Sequence, residues 1–439
     1  MKKKSISKTF SPFQEFVRTE SFSGVLLIIA TLLALLIANT SLNQYYRQLL
    51  TTSFSIGFSG VILDKPLILW VNDGLMALFF LLVALEIKRE LFFGQLAGFQ
   101  KAILPVLSAV GGAFFPAIIF LVLNYGTKYS QGWAIPMATD IAFAIGILSL
   151  LGRYIPIWAK VFITALAVAD DLFAILIIAI FYTDKLYAVP LIAGLIMVLI
   201  LGIFNLFKIK KLRYYILVGI ILWVAILKSG IHATIAGVLL GFMIPLSQHV
   251  PIKDIYKDIL SSLNKYVPDH KHDQSLKIDP EHRETMLNSV HDIVKHSESP
   301  LHRLEHAMNP FVGYVVMPVF AFFNAGITLN GSILTDAFQS TLVWGIILGL
   351  FFGNQIGIFG VSWTLTKFGQ TDLPVNNQTR SVLYGLSCLG GIGFTMSLFI
   401  SNLAFTDPHT LELSKIGILT ASILSAFVGL LILRWSYKK

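Results

Sequence analysis

Apolar runs of about twenty residues recur along this chain from Gly24 almost to its end. A helix of that length is what crossing a bilayer's hydrocarbon core requires. On that ruler twelve candidate spans lie at roughly 22–40, 67–92, 102–125, 134–152, 156–182, 187–207, 214–230, 231–247, 301–327, 338–366, 377–404 and 411–436. The stretch 214–247 is nearly continuous, and Ser229-Gly230 is its natural break. Residues 51–63 (TTSFSIGFSGVIL) alternate weakly and carry two glycines, which suggests a short hairpin. Charged residues are only 13% of the 439, against about 25% in soluble domains. Twenty-four acids cannot cover a globular surface of this size, so a soluble enzyme and a disordered chain are both excluded. The first apolar run follows a basic, polar start and has many successors. It therefore reads as a retained span rather than a cleaved signal.

The basic residues fall on alternate connections. Lys2, Lys3 and Lys4 put the start in the cytoplasm. The same side collects Lys88, Arg89 and Lys101, Arg153 and Lys160, Lys208 to Arg213, Lys367 and Arg380, and finally Lys438 and Lys439. The opposite side holds scattered residues such as Lys128 and Lys185. The expectation is a multi-pass membrane protein with both termini cytoplasmic. The formal charge of +9 then reflects orientation, not a nucleic-acid partner. Cys388, the one cysteine, rules out a disulfide framework or a thiolate metal site and reads as a small core residue.

Residues 247–300 break the pattern, with seven Lys/Arg, nine Asp/Glu and six of the ten histidines. The chain thus divides into spans 1–8 over 1–246, a polar cytoplasmic insertion over 247–300, and spans 9–12 over 301–439. DHKHD (269–273) lacks the spacing of a closed metal site and reads as a solvated loop. Met286, Leu287, Val290, Ile293 and Val294 recur at helical spacing, as in an amphipathic helix on the membrane surface.

Charges inside spans carry the chemistry, because each costs about 2.5–3.5 kcal/mol on insertion scales. Glu86 lies at the cytoplasmic end of its run, and Asp73 near the outer end. Asp140, Asp170 and Asp171 sit mid-span between long apolar stretches. Two adjacent carboxylates in low dielectric do not both ionise easily, and their titrations couple. That is what a site exchanging a proton for a small hard cation requires, and Na⁺ or Li⁺ prefers oxygen ligands. The span GWAIPMATDIAFAIG places Pro136 four residues before Asp140 and Thr139 beside it. Pro136 removes a helical donor. In CLGGIGFTMS, Gly390, Gly391 and Gly393 each weaken a helix by about 1 kcal/mol. Interrupted helices at matching places in two halves, here spans 3–5 and 10–12, mark the binding site of an inverted-repeat transporter.

NDGLMALFFLLVALEIKREL, WAIPMATDIAFAIG, ALAVADDLFAILIIAIFYT, LKSGIHATIAGVLLGFMIPL, PVFAFFNAGI and GIGFTMSLFI occur in the order in which they resemble the NhaA-type bacterial sodium/proton antiporters. The resemblance implies an all-α fold of twelve transmembrane helices, with inverted-topology repeats and two crossed discontinuous helices, spans 4 and 11. It implies Na⁺ or Li⁺ exported against H⁺ with no cofactor. Asp171 matches the principal cation-binding carboxylate, Asp170 its partner, Asp140 the acid beside the crossing, and Thr139 the unwound turn. Glu86, Arg89, Glu90, Arg303, Glu305 and His306 match a cytoplasmic cluster linked to pH activation. The hairpin at 51–63 would serve as a homodimer contact.

Two departures stand out. Gly353-Asn354-Gln355-Ile356-Gly357 occupies the place of a Gly-Lys-Pro-Leu-Gly stretch, so Asn354 replaces a lysine. An amide can hydrogen-bond a carboxylate but does not neutralise it, which leaves proton stoichiometry and voltage dependence open. The activity profile is expected further toward alkaline pH than in a lysine-bearing relative. The second departure is the 247–300 insertion, which precedes the pH-linked cluster, with Asn309 standing where the family often has a histidine. An alternative reading is a Na⁺-coupled symporter of a small organic solute, but no Arg-rich or aromatic-polar pocket appears within the spans. A membrane enzyme would need a nucleophile and base. His232, the one histidine well inside the spans, reads as a packed residue, and no P-loop suggests a nucleotide engine.

Overall fold

The computed structural model describes residues 21–58, 61–151, 155–183, 186–246, 252–266, 284–290, 299–371 and 373–436. Helix α1 (Ser21–Ala38) turns by 113° into the short α2 (Asn43–Thr51). A two-stranded antiparallel hairpin follows, β1 (Ser53–Phe58) against β2 (Val61–Pro66), with Ser53 opposite Pro66. The hairpin expected at 51–63 is present, ends slightly later, and makes the fold helical with one small β element. The chain then runs through α3 (Leu67–Phe93), α4 (Phe99–Asn124), α5 (Ile141–Leu150), α6 (Ile157–Phe181), α7 (Ala188–Leu206), α8 (Leu212–Ser229), α9 (Thr234–Met243) and α10 (Ile252–Tyr266). It continues as α11 (Pro300–Asn324), α12 (Gly331–Gln339), α13 (Thr341–Lys367), α14 (Asn377–Gly390), α15 (Phe394–Ala404) and α16 (Pro408–Ser436).

Among the described residues nine spans, α14 and α15 together forming one of them, are long and apolar enough to cross a membrane, or ten if the bent α1–α2 pair is one. The runs counted at 134–152 and 231–247 contain only the ten-residue helices α5 and α9. Apolarity marks a segment as able to enter the membrane, and helical continuity is a separate matter. Sequence punctuation sets several ends. Pro66 and Pro156 stand immediately before α3 and α6, where a missing backbone N–H costs nothing. Gly230 ends α8 with φ +89°, a conformation that favours glycine. Asp407 caps α16 by accepting from the Thr410 N–H (3.0 Å) and hydroxyl (2.6 Å), bonds that hold its carboxyl below the usual carboxylate range.

The span α14–α15 forms the axis of the molecule, with 94% of its most apolar 18-residue stretch buried, whereas for α7 on the periphery the share is 11%. Around the axis pack α13, α16 and α6, with α4 lying against α13 and α6, and on the other side α3 against α9, with α1 on α11 and α5. Helices α4 and α13 cross backbone to backbone. A Cβ on Gly111 would lie 2.5 Å from the Gly357 carbonyl oxygen, and one on Gly357 only 2.1 Å from that of Gly111. At this crossing α13 widens into two successive π-helical turns, Gly349–Gly353 and Gln355–Phe359, a feature frequent at functional sites.

Lys88, expected in a basic connection, is instead buried. Its ammonium donates to the carbonyls of Phe242 (2.7 Å) and Ile244 (2.6 Å), capping the end of α9. A cation suits the carbonyl end of a helix. In the insertion, α10 and a helical turn at 284–290 are joined by the hydroxyls of Ser262 and Ser289 at 2.8 Å. DHKHD, Ile293 and Val294 lie outside the described residues. His232 is hydrogen-bonded to the Tyr182 carbonyl, in keeping with a packed role.

Candidate functional site

Two interruptions meet at the centre. The chain is irregular from Trp133 to Asp140, and α14 stops at Gly390, with three residues between it and the start of α15 at Phe394. The segments are joined through the main chain and Thr139. Asp140 N–H donates to the Ile392 carbonyl at 2.6 Å, and the Thr139 hydroxyl donates to the Gly390 carbonyl at 2.7 Å. The glycines have negative φ, so conformational freedom is not what they supply. A Cβ on Gly391 would lie 2.5 Å from the Leu350 carbonyl oxygen, and one on Gly393 3.1 Å from that of Ala138. They permit close approach.

Each acid has a defined setting. Asp140 caps the N-terminus of α5, accepting from Phe143 N–H at 2.9 Å. Its other oxygen accepts from Thr395 N–H at 3.0 Å and from the Thr395 hydroxyl. Asp170 accepts from Thr139 N–H at 2.7 Å. Asp171 is 1% exposed, and its Oδ2 has no hydrogen-bond partner among the described residues. The groups acting on it electrostatically are the carboxylates of Asp170, Glu86 and Asp140. A buried carboxylate oxygen left without a donor is costly unless a proton or a cation satisfies it. A cavity of about 10 Å³ adjoins Asp170 between Ala113, Met137, Ala138 and Phe173, about the space of one water-sized sphere.

Asn354 lies between the two π turns, fully buried. Its amide donates to the carbonyls of Leu350 (3.1 Å) and Pro136 (3.5 Å), and its oxygen has no partner among the described residues. It therefore touches the irregular segment directly. Beside it, Tyr384 hydroxyl donates to the Gln355 side chain at 2.8 Å.

The expected pH-linked residues divide. Arg89 bridges Glu305 (2.7 Å) and Glu90 (3.0 Å), and Glu305 also faces His302 at 3.9 Å. Glu86 is half-buried one turn away on the same helix. Arg303 and His306 make no ion pair among the described residues, and His306 is exposed. Asp73, near the hairpin end of α3, pairs with Lys65 at 2.7 Å. Among the described residues no three His, Cys, Asp or Glu side chains form a metal-holding group.

Thr395, His302 and Ser422, whose hydroxyl accepts from Phe394 N–H at 3.2 Å, were not anticipated. Thr395 follows Gly393 by two residues, as Thr139 accompanies Asp140 at the other break, and that parallel was the available signal.

Comparison with known proteins shows the family of the chain. The sequence profile described as Na+/H+ antiporter 1 matches residues 14–433. Na(+)/H(+) antiporter NhaA 2 of Clostridium beijerinckii is 43% identical over 435 residues, 99% of this chain and 97% of its own. Na(+)/H(+) antiporter NhaA of Proteus mirabilis is 45% identical over 423 residues, 96% of each chain. That of Rhodospirillum rubrum is 44% identical over 428 residues, again 96% of each. With nearly every residue aligned at this identity, the chain belongs to the Na⁺/H⁺ antiporter 1 family.

Proposed function

We propose that this chain is a secondary antiporter that exports Na⁺, and Li⁺ as its analogue, in exchange for H⁺. The observation that carries the reading is Asp171 Oδ2, buried with no donor among the described residues, beside Asp170 and against two interrupted helices. A proton or an alkali cation satisfies that oxygen, and the two compete. Thr139 orients Asp170, and Asp140 braces the junction through Thr395. Neutralised by either ligand, the site reorients. Empty and charged, it reorients poorly because its dehydrated carboxylates are expensive. That rule couples the two flows without ATP or a cofactor.

In this reading there are twelve spans, with 134–152 and 231–247 completed by their irregular halves. Spans 4 and 11 are the crossed discontinuous helices of two inverted repeats. The termini and the 247–300 insertion face the cytoplasm of a bacterial inner membrane. The Arg89–Glu305–Glu90 cluster tunes activity to pH, and β1–β2 contacts a second copy. Exchange is tested in proteoliposomes holding a pH dye. Na⁺ added alone should drive proton movement in the parent, and Asp171→Asn should abolish it. Exchange that survives this substitution overturns the assignment. Proton movement that also requires an organic solute would favour a symporter.

A further inference from the structure

On the side of the break away from the hairpin lies a polar seam that the exchange reading leaves unused. Helix α15 runs toward the hairpin, where Asn402 donates to Asn324 and Asn324 to Asn72. Helix α14, on the other side of the break, therefore leads to the opposite face. The second π turn of α13 packs along it, and their contact carries Gln355 on α13 and Tyr384 on α14, with Asn354 next to Gln355.

Both amides are buried, Asn354 completely and Gln355 with 6% exposed. The Tyr384 hydroxyl donates to Gln355 Oε1 at 2.8 Å, which leaves Gln355 Nε2 with no partner among the described residues. Turning that amide over only changes which of its two polar atoms is left. Asn354 Oδ1 is in the same condition. It lies 3.3 Å from where a Cβ on Gly112 would be, and the next residue, Ala113, lines the cavity beside Asp170. At the other end Tyr384 is partly exposed, and Arg380, one turn further out on the same face of α14, is exposed. Unsatisfied amide atoms thus stand between the Asp170 cavity and the solvent-facing part of α14.

We propose that this seam binds water and conducts protons between Asp170 and the face opposite the hairpin, while Na⁺ reaches the acids by another route. The inference rests on the exchange reading above. A buried amide atom without a partner is costly, and buried waters ordinarily satisfy such groups, making about three bonds each. The cavity beside Asp170, about 10 Å³, has the size of one water. Each transfer makes one O–H bond and breaks another on the same oxygen, whether that of a water or of Tyr384. No group is left with a changed charge once the proton has passed. Asn354 and Gln355 hold the waters and take no proton themselves. Sodium is refused because the seam offers amides and a phenol but, among the described residues, no carboxylate. A cation stripped of its hydration there gains no anionic partner.

The test compares two fluxes in the same proteoliposomes. Na⁺/H⁺ exchange, read with an entrapped pH dye, needs the proton path. Exchange of tracer Na⁺ for Na⁺ needs only the cation site, since a Na⁺-loaded site reorients in both directions. Gln355→Leu removes the amide and roughly keeps the volume. It should slow Na⁺/H⁺ exchange by roughly tenfold or more, as loss of a positioned proton-transfer step does. Tracer exchange and the KM for Na⁺ should stay within about twofold of the parent, because cation binding is untouched. Tyr384→Phe keeps the ring against Phe359, 5.2 Å between centroids, and loses only the hydroxyl. It should act in the same sense, and it carries the comparison should Gln355→Leu fail to reach the membrane. Loss of both fluxes alike would show a structural role and overturn the relay, and so would undiminished Na⁺/H⁺ exchange in either variant. A parent without Na⁺/H⁺ exchange would overturn the exchange reading itself, whereas an active parent whose variants do not separate the two fluxes overturns only the relay.

Discussion

Replacing Gly391 by alanine is the sharpest probe of the meeting point. The residue has φ −76° and ψ 2°, which alanine adopts freely, so the backbone itself does not resist. The obstacle is space, since the new Cβ would lie 2.5 Å from the Leu350 carbonyl oxygen and 2.6 Å from Ser425 Oγ. Serine can rotate away, but a carbonyl within a π turn cannot. Restoring van der Waals contact requires a separation of roughly 1 Å between α13 and the break. Overpacking of this kind costs about 1–3 kcal/mol, which a folded protein survives. Positioning is less forgiving, because a 1 Å misplacement of working groups is worth about 100-fold in rate. Gly391→Ala should therefore insert and remain folded while Na⁺-dependent proton flux falls about 100-fold. Gly360→Ala on the neighbouring α13, with nothing within 4 Å of the new methyl, should leave flux unchanged. Flux in Gly391→Ala within twofold of the parent would refute the reasoning.

Asn354→Lys introduces a cation where a buried amide now holds the Pro136 carbonyl. The pH profile of Na⁺-dependent proton flux should move toward lower pH, and an unchanged profile would remove Asn354 from the account. Arg89→Gln leaves Glu305 and Glu90 without their shared guanidinium. Breaking a fully buried pair costs about 3–5 kcal/mol. Arg89 is 33% exposed, so about 1–3 kcal/mol is expected after solvent screening. Thermal unfolding in detergent measures it, and Glu305→Gln added to Arg89→Gln should recover part of the loss.

Asp140, Asp170 and Asp171 were legible in the sequence because a charge amid twenty apolar residues is costly and therefore conspicuous. Pro136 and the Gly390–Gly393 cluster marked the breaks for a similar reason, as helix breakers in otherwise helical runs. What the glycines do was not legible. They looked like weak points in a helix, whereas Gly391 and Gly393 clear space for backbone from α13 and the irregular segment. Thr395 escaped notice because its partner Asp140 is 255 residues away, a distance over which periodicity carries no information. Lys88 looked like one more basic loop residue, since only the packing of α9 against α3 reveals the carbonyls it caps. Span counting met the same limit, because hydropathy reports the solvent a segment prefers and is silent on where its helix is broken.

The bond from Asp140 N–H to the Ile392 carbonyl uses no side-chain atom. Relatives could therefore diverge widely around this suture and still inherit it. Screens that vary residue identity would pass over it, although it joins the two broken segments directly. The fastening that keeps the two halves in step is written in the path of the polypeptide, not in its alphabet.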